Sequence, residues 1–214
     1  NNIINTNMNN SNSHIVQVYN SRKNLLEILE TRGFNTSSYN NFSISEIGIL
    51  TEQDQLDMLL EDSNNKKIYV KYYINKVIKP PNVYSIIEDL FYLENILTKK
   101  DDLMIIVKDE PNDTLVQTVK DIWMQDSIYT STINIKRLQF NILNHVLVPK
   151  HSILSKPEEI EFKRKFNILD NNIPDISYFS PVSLVLGIRP NDIVKIERKS
   201  RTAIKADFYR ICKL

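Results

Sequence analysis

Between residues 66 and 136 the chain alternates two hydrophobic rhythms, and the alternation limits the folds open to it. "KKIYVKYYI" (66–74) is β-branched and aromatic, the composition of a strand. Pro80-Pro81 then breaks the chain, and Val83, Ile86, Ile87, Leu90, Leu93 and Leu97 recur at helical spacing. "LMIIVK" (103–108) is a short apolar run bounded by charges, the pattern of a buried strand. "DTLVQTVKDIWMQ" sets Leu115, Val119, Ile122 and Trp123 on one side of a helix, and "SIYTSTINIK" (127–136) is strand-like again. Strand, helix, strand, helix, strand predicts a small α/β domain over residues 15–138.

The flanks read differently. "NSRKNLLEILETRGF" predicts a helix capped by Ser21, with Leu25, Leu26, Ile28 and Leu29 as its apolar stripe and Gly33 at its end. "SYNNFSISEI" reads as loop running into a short strand. Thr51, with Asp54 three residues on, predicts a helix through Leu56, Leu59 and Leu60. Residues 1–14 are polar, without the basic start or apolar middle of a signal peptide, and are expected to be a disordered tail. Past residue 138, "LQFNILNHVLV" reads as a strand. Ser155, Pro157 and Glu158 open a helix reaching Phe166 through a capping box. Ser180, Pro181 and Gly187 bracket a short helix in the usual order of cap, first-turn proline and closing glycine. "IVKIER" and "KADFYRICKL" are two last strands. Residues 139–214 thus form a second domain, α+β in class.

Charge divides along the same line. Residues 139–214 carry 13 Lys/Arg against 8 Asp/Glu, and residues 1–138 carry 14 against 18. The single cysteine, Cys212, excludes an internal disulfide. No apolar run approaches the roughly 20 residues of a membrane span.

Enzyme chemistry finds little to work with. His145 and His151 lack a nearby third ligand, and Pro149 bends the chain between them. Cys212 has no histidine beside it to act as its base. With three glycines in the chain there is no phosphate-cradling loop. A metal-dependent nuclease needs paired carboxylates and a lysine on strands. The strands offer Tyr69-Val70-Lys71 and Ile106-Val107-Lys108, neither with the acid, while Glu161-Phe162-Lys163 falls on a helix. No catalytic residue, metal or cofactor is expected. The basic set Lys195, Arg198, Lys199, Arg201, Lys205, Arg210 and Lys213 suits a solvated face or an acidic partner as well as phosphate.

The last third of the chain carries a more specific signal. "LVPKH" (147–151), "IP" (173–174), "SPVSLVLGIRPNDIVKIERKS" (180–200), Thr202-Ala203 and "YRI" (209–211) closely resemble the assembly domain of the fifth subunit of eukaryotic RNA polymerases, a family with archaeal counterparts. Val146, Asn191 and Ile204 depart from the family pattern, which has Glu, Gly and Gly there; the turn before the last strand is therefore expected to be built differently. "LLEILETRGF" looks like the family's early helix and its Arg-Gly-Tyr/Phe ending.

The resemblance implies a nuclease-like α/β jaw domain followed by a small α+β assembly domain with a mixed sheet. It implies a non-catalytic subunit that docks on the largest polymerase subunit beside neighbouring small subunits, with the jaw near downstream duplex DNA. No membrane and no small-molecule substrate are implied. His145, Pro149, Lys150, His151, Pro181, Gly187, Arg189, Lys195, Arg198 and Arg210 are the expected partner-binding residues; no DNA-proximal residue is singled out. Active nuclease and free-standing adaptor are the competing functions. A diverged jaw and an asparagine-rich, AT-biased composition point to a large cytoplasmic DNA virus, hence the virion and host cytoplasm, with the nucleus as the alternative.

Overall fold

The computed structural model describes residues 2–200 and 203–214, with side chains from residue 13 onward. The chain divides into two units, Asn1–Asn141 and Ile142–Leu214.

In the first unit, α1 (Asn2–Thr31) and α2 (Ile44–Glu52) precede β1 (Met58–Glu61), β2 (Lys67–Tyr73), α3 (Pro80–Ile87), β3 (Asp102–Val107), α4 (Asp113–Asp126) and β4 (Tyr129–Asn134). The sheet order is β1-β2-β3-β4; β1 runs antiparallel to β2, and the other neighbours are parallel. Every residue of β3 and β4 is buried, which requires cover on both faces. On one face Val83, Ile87, Leu115 and Ile122 pack against Leu103, Ile105 and Val107. The other face meets α1, where Ser21 Oγ lies 3.5 Å from Tyr72 Oη. The strand-helix-strand-helix-strand order expected over 66–136 is the order found.

Five local expectations give way. Ser21, expected as a cap, lies inside α1, its hydroxyl donating to Val18 O at 2.7 Å. Ser43 caps α2 where loop and strand were expected: its hydroxyl accepts the Glu46 N–H, and the Glu46 carboxylate takes the Ser43 N–H at 2.7 Å. The helix expected from Thr51 is not formed. Thr51 and Glu52 end α2, and Met58–Glu61 alternates buried and exposed, a period of two. The long helix expected after Pro80-Pro81 becomes α3 plus a turn of π-helix, Glu88–Leu93, and closes before Asn95, whose φ is 51°. Finally, 138–148 is not a strand. Ile135–Leu138 and Ile142–Asn144 are 3₁₀ turns. The first is tied down by the Asn24 side-chain amide donating to Leu138 O at 2.8 Å and by Gln139 Nε2 donating to Gln17 O at 3.1 Å. The tail expected over 1–14 lies outside the described side chains as far as residue 12; Ser13 and His14 belong to α1.

The second unit runs β5 (Lys150–Ile153), α5 (Lys156–Phe166), β6 (Asp175–Ser177), α6 (Pro181–Leu186), β7 (Ile193–Ser200) and β8 (Ile204–Lys213). Its sheet is mixed, in the order β5-β7-β8-β6, with β6 parallel to β8 and the other neighbours antiparallel. Phe162 of α5 packs on Ile193 and Ile211 from one face. Val194, Ile196 and Cys212, of opposite alternation, are buried on the other. β5 covers β7 only as far as Glu197, and β6 covers β8 only from Ile211. Arg198–Ser200 and Ile204–Ala206 therefore pair with each other alone among the described residues, as a two-stranded ribbon.

Candidate partner-docking site

The expected partner-binding residues all fall in the second unit, and the structure sorts them into two kinds. Some build the scaffold. Pro181 sits in the first turn of α6, where its missing N–H costs no helical bond. Ser180 Oγ accepts the Ser183 N–H at 3.2 Å, and Gly187, with φ 71°, donates its N–H to Ser183 O at 3.0 Å. Arg189 donates its backbone N–H to Asp192 Oδ2 at 2.8 Å, closing the turn in which Asn191 adopts φ 71°. Burial pushes the Asp192 carboxyl above its ordinary pKa, against the pull of the Arg189 N–H and Lys156. Arg210 Nη1 donates to Asp175 O at 2.6 Å and so holds β6 beside β8.

Others form an accessible edge. Residues 145–149 make a tight turn: Val148 N–H donates to His145 O at 2.9 Å, and Leu147 N–H donates to His145 Nδ1 at 3.2 Å. The turn pushes two aliphatic side chains outward; Val146 is 93% and Leu147 83% exposed. Pro149 then hands the chain to β5. Its carbonyl accepts from His151 Nδ1 at 2.7 Å, which fixes the ring and leaves Nε2 as the other nitrogen. Burial, offset in part by that carbonyl and reinforced by Arg198, holds the His151 imidazole below its ordinary pKa of 6.5. Lys150 is exposed, opposite Glu197 in register.

The β7–β8 ribbon continues this edge. Arg198 lies over the Phe208 ring, 4.9 Å from its centroid. Lys195 pairs with Asp207 at 2.9 Å and Lys205 with Glu197 at 3.9 Å, diagonal pairs across the two strands. Lys213 pairs with Asp175 at 2.9 Å. Arg201 lies outside the described residues. Three of the seven basic residues thus already face a carboxylate, which leaves fewer cations for phosphate.

Val146 and Leu147, the exposed aliphatics of the turn, were read as part of a strand. The usable signal was their place: two aliphatics directly before a proline that cannot extend a ladder. Phe208 was seen only as a strand residue; it stands 45% exposed beside Arg198.

Among the described residues, metal, thiol and nuclease chemistry each lack a group they need. Among the described residues, no group of three or more His, Cys, Asp or Glu could hold a metal ion. Cys212 is buried, and burial, with Asp192 nearby, pushes its thiol up to about 12, far from a reactive thiolate. In the first unit, Lys71 does meet a carboxylate, Asp57, at 2.5 Å. That carboxylate is occupied: Tyr69 Oη donates to it at 3.2 Å and the Tyr72 N–H at 3.0 Å. Tyr69 stands where a second acid would be needed, and burial beside Asp57 pushes its phenol well above the ordinary value.

Comparison with known proteins fits this division. The family model "RNA polymerase Rpb5, C-terminal domain" matches residues 140–212. "DNA-directed RNA polymerase subunit Rpo5" of Thermococcus kodakarensis is 42% identical over 73 residues, 34% of this chain and 89% of that protein. The Archaeoglobus fulgidus protein of the same name is 42% identical over 74 residues, 35% of this chain and 97% of its own length. "DNA-directed RNA polymerases I, II, and III subunit rpabc1" of Dictyostelium discoideum is 25% identical over 192 residues, 89% of this chain and 94% of that protein. These two archaeal matches are about as long as the second unit, while the Dictyostelium match is long enough to run through both.

Proposed function

The chain belongs to the family of RNA polymerase fifth subunits, archaeal Rpo5 and eukaryotic Rpb5, and we propose on that premise that it is a non-catalytic structural subunit seated on the largest polymerase subunit. The observation that carries the docking reading is the edge at 145–151. It presents Val146, Leu147 and Lys150 to solvent on a backbone fixed by hydrogen bonds and by Pro149. A pre-set apolar edge flanked by a cation loses little conformational freedom on binding. Neighbouring small subunits complete the seat in this reading.

The first unit serves as a jaw near downstream duplex DNA. Its 18 acidic against 14 basic residues over 1–138 repel phosphate at long range, so its contact with DNA is local and depends on assembly. Asparagine-rich composition supports a source in a large cytoplasmic DNA virus, with the protein in the virion and the host cytoplasm.

Affinity purification of the tagged chain from its source, followed by mass spectrometry, tests the central claim. The two largest polymerase subunits are expected to co-purify with it. Their absence would instead favour an adaptor working outside polymerase. Duplex DNA titrated with the isolated chain is expected to bind weakly and without sequence preference; tight, sequence-specific binding would contradict the jaw reading.

A further inference from the structure

Arg22 of α1 is a cation whose surroundings leave it short of partners. The residue is only 4% exposed. Its Nη1 donates to Leu56 O at 2.7 Å, while its Nε is buried with no acceptor. No carboxylate pairs with it among the described residues. The rings of Tyr39 and Phe42 lie 5.5 and 5.4 Å from the guanidinium carbon and stabilise it through their faces. An aromatic face attracts a cation but accepts no conventional N–H bond, so the Nε donor stays without an acceptor. A buried charge held this way is costly unless something else answers it.

Arg22 also lines a cavity of about 270 Å³, walled by Tyr19, Tyr39, Phe42, Leu26 and Ile47. Half of the lining residues are aromatic or aliphatic, and Arg22 is the one buried charged residue among the polar half. The rim narrows the ligand further. Lys23 and Asn40 lie there, and so do Glu27 and Glu30. Two carboxylates at the mouth work against a dianion such as phosphate and tolerate a single negative charge better.

We propose that this cavity binds a carboxylate carried on a flat apolar body, with Arg22 as its counter-ion and the Tyr39 and Phe42 rings against that body. The ligand's charge meets the planar fork, which suits a carboxylate's two oxygens. Its ring replaces water against the aromatic walls. The site lies in the first unit and is independent of the docking edge and of the polymerase reading.

Titration of the full chain with benzoate tests the proposal, followed by NMR through the Arg22 Nε–H resonance and the Tyr39 and Phe42 ring protons. Expected are saturable shifts at those groups. Benzamide, equal in shape but uncharged, should bind at least about tenfold more weakly, equivalent to about 1.4 kcal/mol. R22M should abolish the benzoate response while keeping the melting temperature at or above the parent value, because it removes a buried charge. Should R22M fail to fold, the benzoate-against-benzamide comparison on the parent chain decides alone. A peptide ending in phenylalanine with a free carboxylate, set beside its C-terminal amide, distinguishes the source. Tighter binding of the free-acid peptide than of benzoate assigns the site to a chain terminus, and the reverse to a free aryl acid. Unmoved Arg22 and ring resonances at saturating benzoate, or equal binding of benzamide, would overturn the proposal.

Discussion

Asn191 and Ile204 stand where the resembled family has glycine, and both adopt positive φ, 71° and 60°. The turn before β8 was expected to be rebuilt around Ile204. Instead, Ile204 itself takes the left-handed conformation that glycine adopts most readily. Asparagine tolerates that region; a β-branched side chain does so at a cost of roughly 1–2 kcal/mol. The Ile204 side chain is 84% exposed, so little packing is lost on its removal. Ile204→Gly should therefore raise stability by about 1 kcal/mol, part of the gain being offset by the freer unfolded chain; chemical denaturation of the pair of proteins measures it. Asp102 is the opposite case. Sequence alone made it a charge bounding a strand, yet it is 1% exposed, with Arg32 Nη2 at 2.6 Å and Lys66 Nζ at 2.9 Å. Arg32-Gly33-Phe34 was legible as a motif, but its reason, an arginine seventy residues from its carboxylate, was not. Asp102→Asn leaves Arg32 without that charge and should cost about 3–5 kcal/mol by the same measurement. His151 supplies a pH dependence. Its folded-state pKa is depressed, so below the unfolded value of about 6.5 the unfolded chain takes up a proton that the folded chain resists. This contribution is intact above that value and is lost as pH falls through it. His151→Gln should flatten the stability profile between about pH 7 and 5, which melts across that range will read.

At the scale of elements, legibility followed the strength of local signals. α5 begins as Ser155-x-x-Glu158 predicted: the Glu158 carboxylate takes the Ser155 N–H at 2.7 Å. α6 is bracketed by Ser180 and Gly187 as read. The same Ser-x-x-Glu pattern at Ser43–Glu46 was passed over because the segment before it is polar and irregular. Leu56, Leu59 and Leu60 fit a helical stripe, yet also contain the Met58–Leu60 alternation; pairing with β2 decided for the strand. The β-branched run ending at Val148 was read as a strand by composition, but tertiary ties to α1 and the proline left it as turns. β6, three residues long, carries no period at all, and a parallel partner far along the chain creates it. Cap chemistry offers the element-scale test. Ser183 is fully buried and its N–H depends on Ser180 Oγ. Ser180→Ala should destabilise the second unit by about 1 kcal/mol, visible as a lower midpoint of thermal unfolding.

For the whole molecule, the two units are unequal in what their sequences disclose. The second could be matched to the fifth-subunit assembly domain, because the motifs that carry the resemblance, with their turns and caps, fall at fixed offsets. The first disclosed its layers but not its site, because the Arg22 cavity is assembled from α1, the loop before α2 and α2 itself, and has no sequence pattern of its own. The Archaeoglobus relative, aligned over 97% of its length to 74 residues of this chain, consists of little beyond the second unit's counterpart. Residues 142–214 should accordingly fold alone, with one cooperative unfolding transition. The 13 basic and 8 acidic residues over 139–214 raise the question of whether charge drives docking. With Lys195, Lys205, Lys213 and Lys163 each near a carboxylate, the free positive field is smaller than the count implies, and in the proposed docking the exposed Val146 and Leu147 would contribute an apolar term that salt does not screen. Capture of the largest polymerase subunit by residues 142–214 should therefore persist at salt concentrations that remove non-specific DNA binding. The double change Val146→Asp and Leu147→Asp should weaken that capture by at least about tenfold, or about 1.4 kcal/mol, while leaving the melting temperature nearly unchanged, since both side chains already stand in solvent. Full retention of capture by the double variant would move the docking surface away from this turn and onto the β7–β8 ribbon, where Arg198 and Phe208 are the next groups to change.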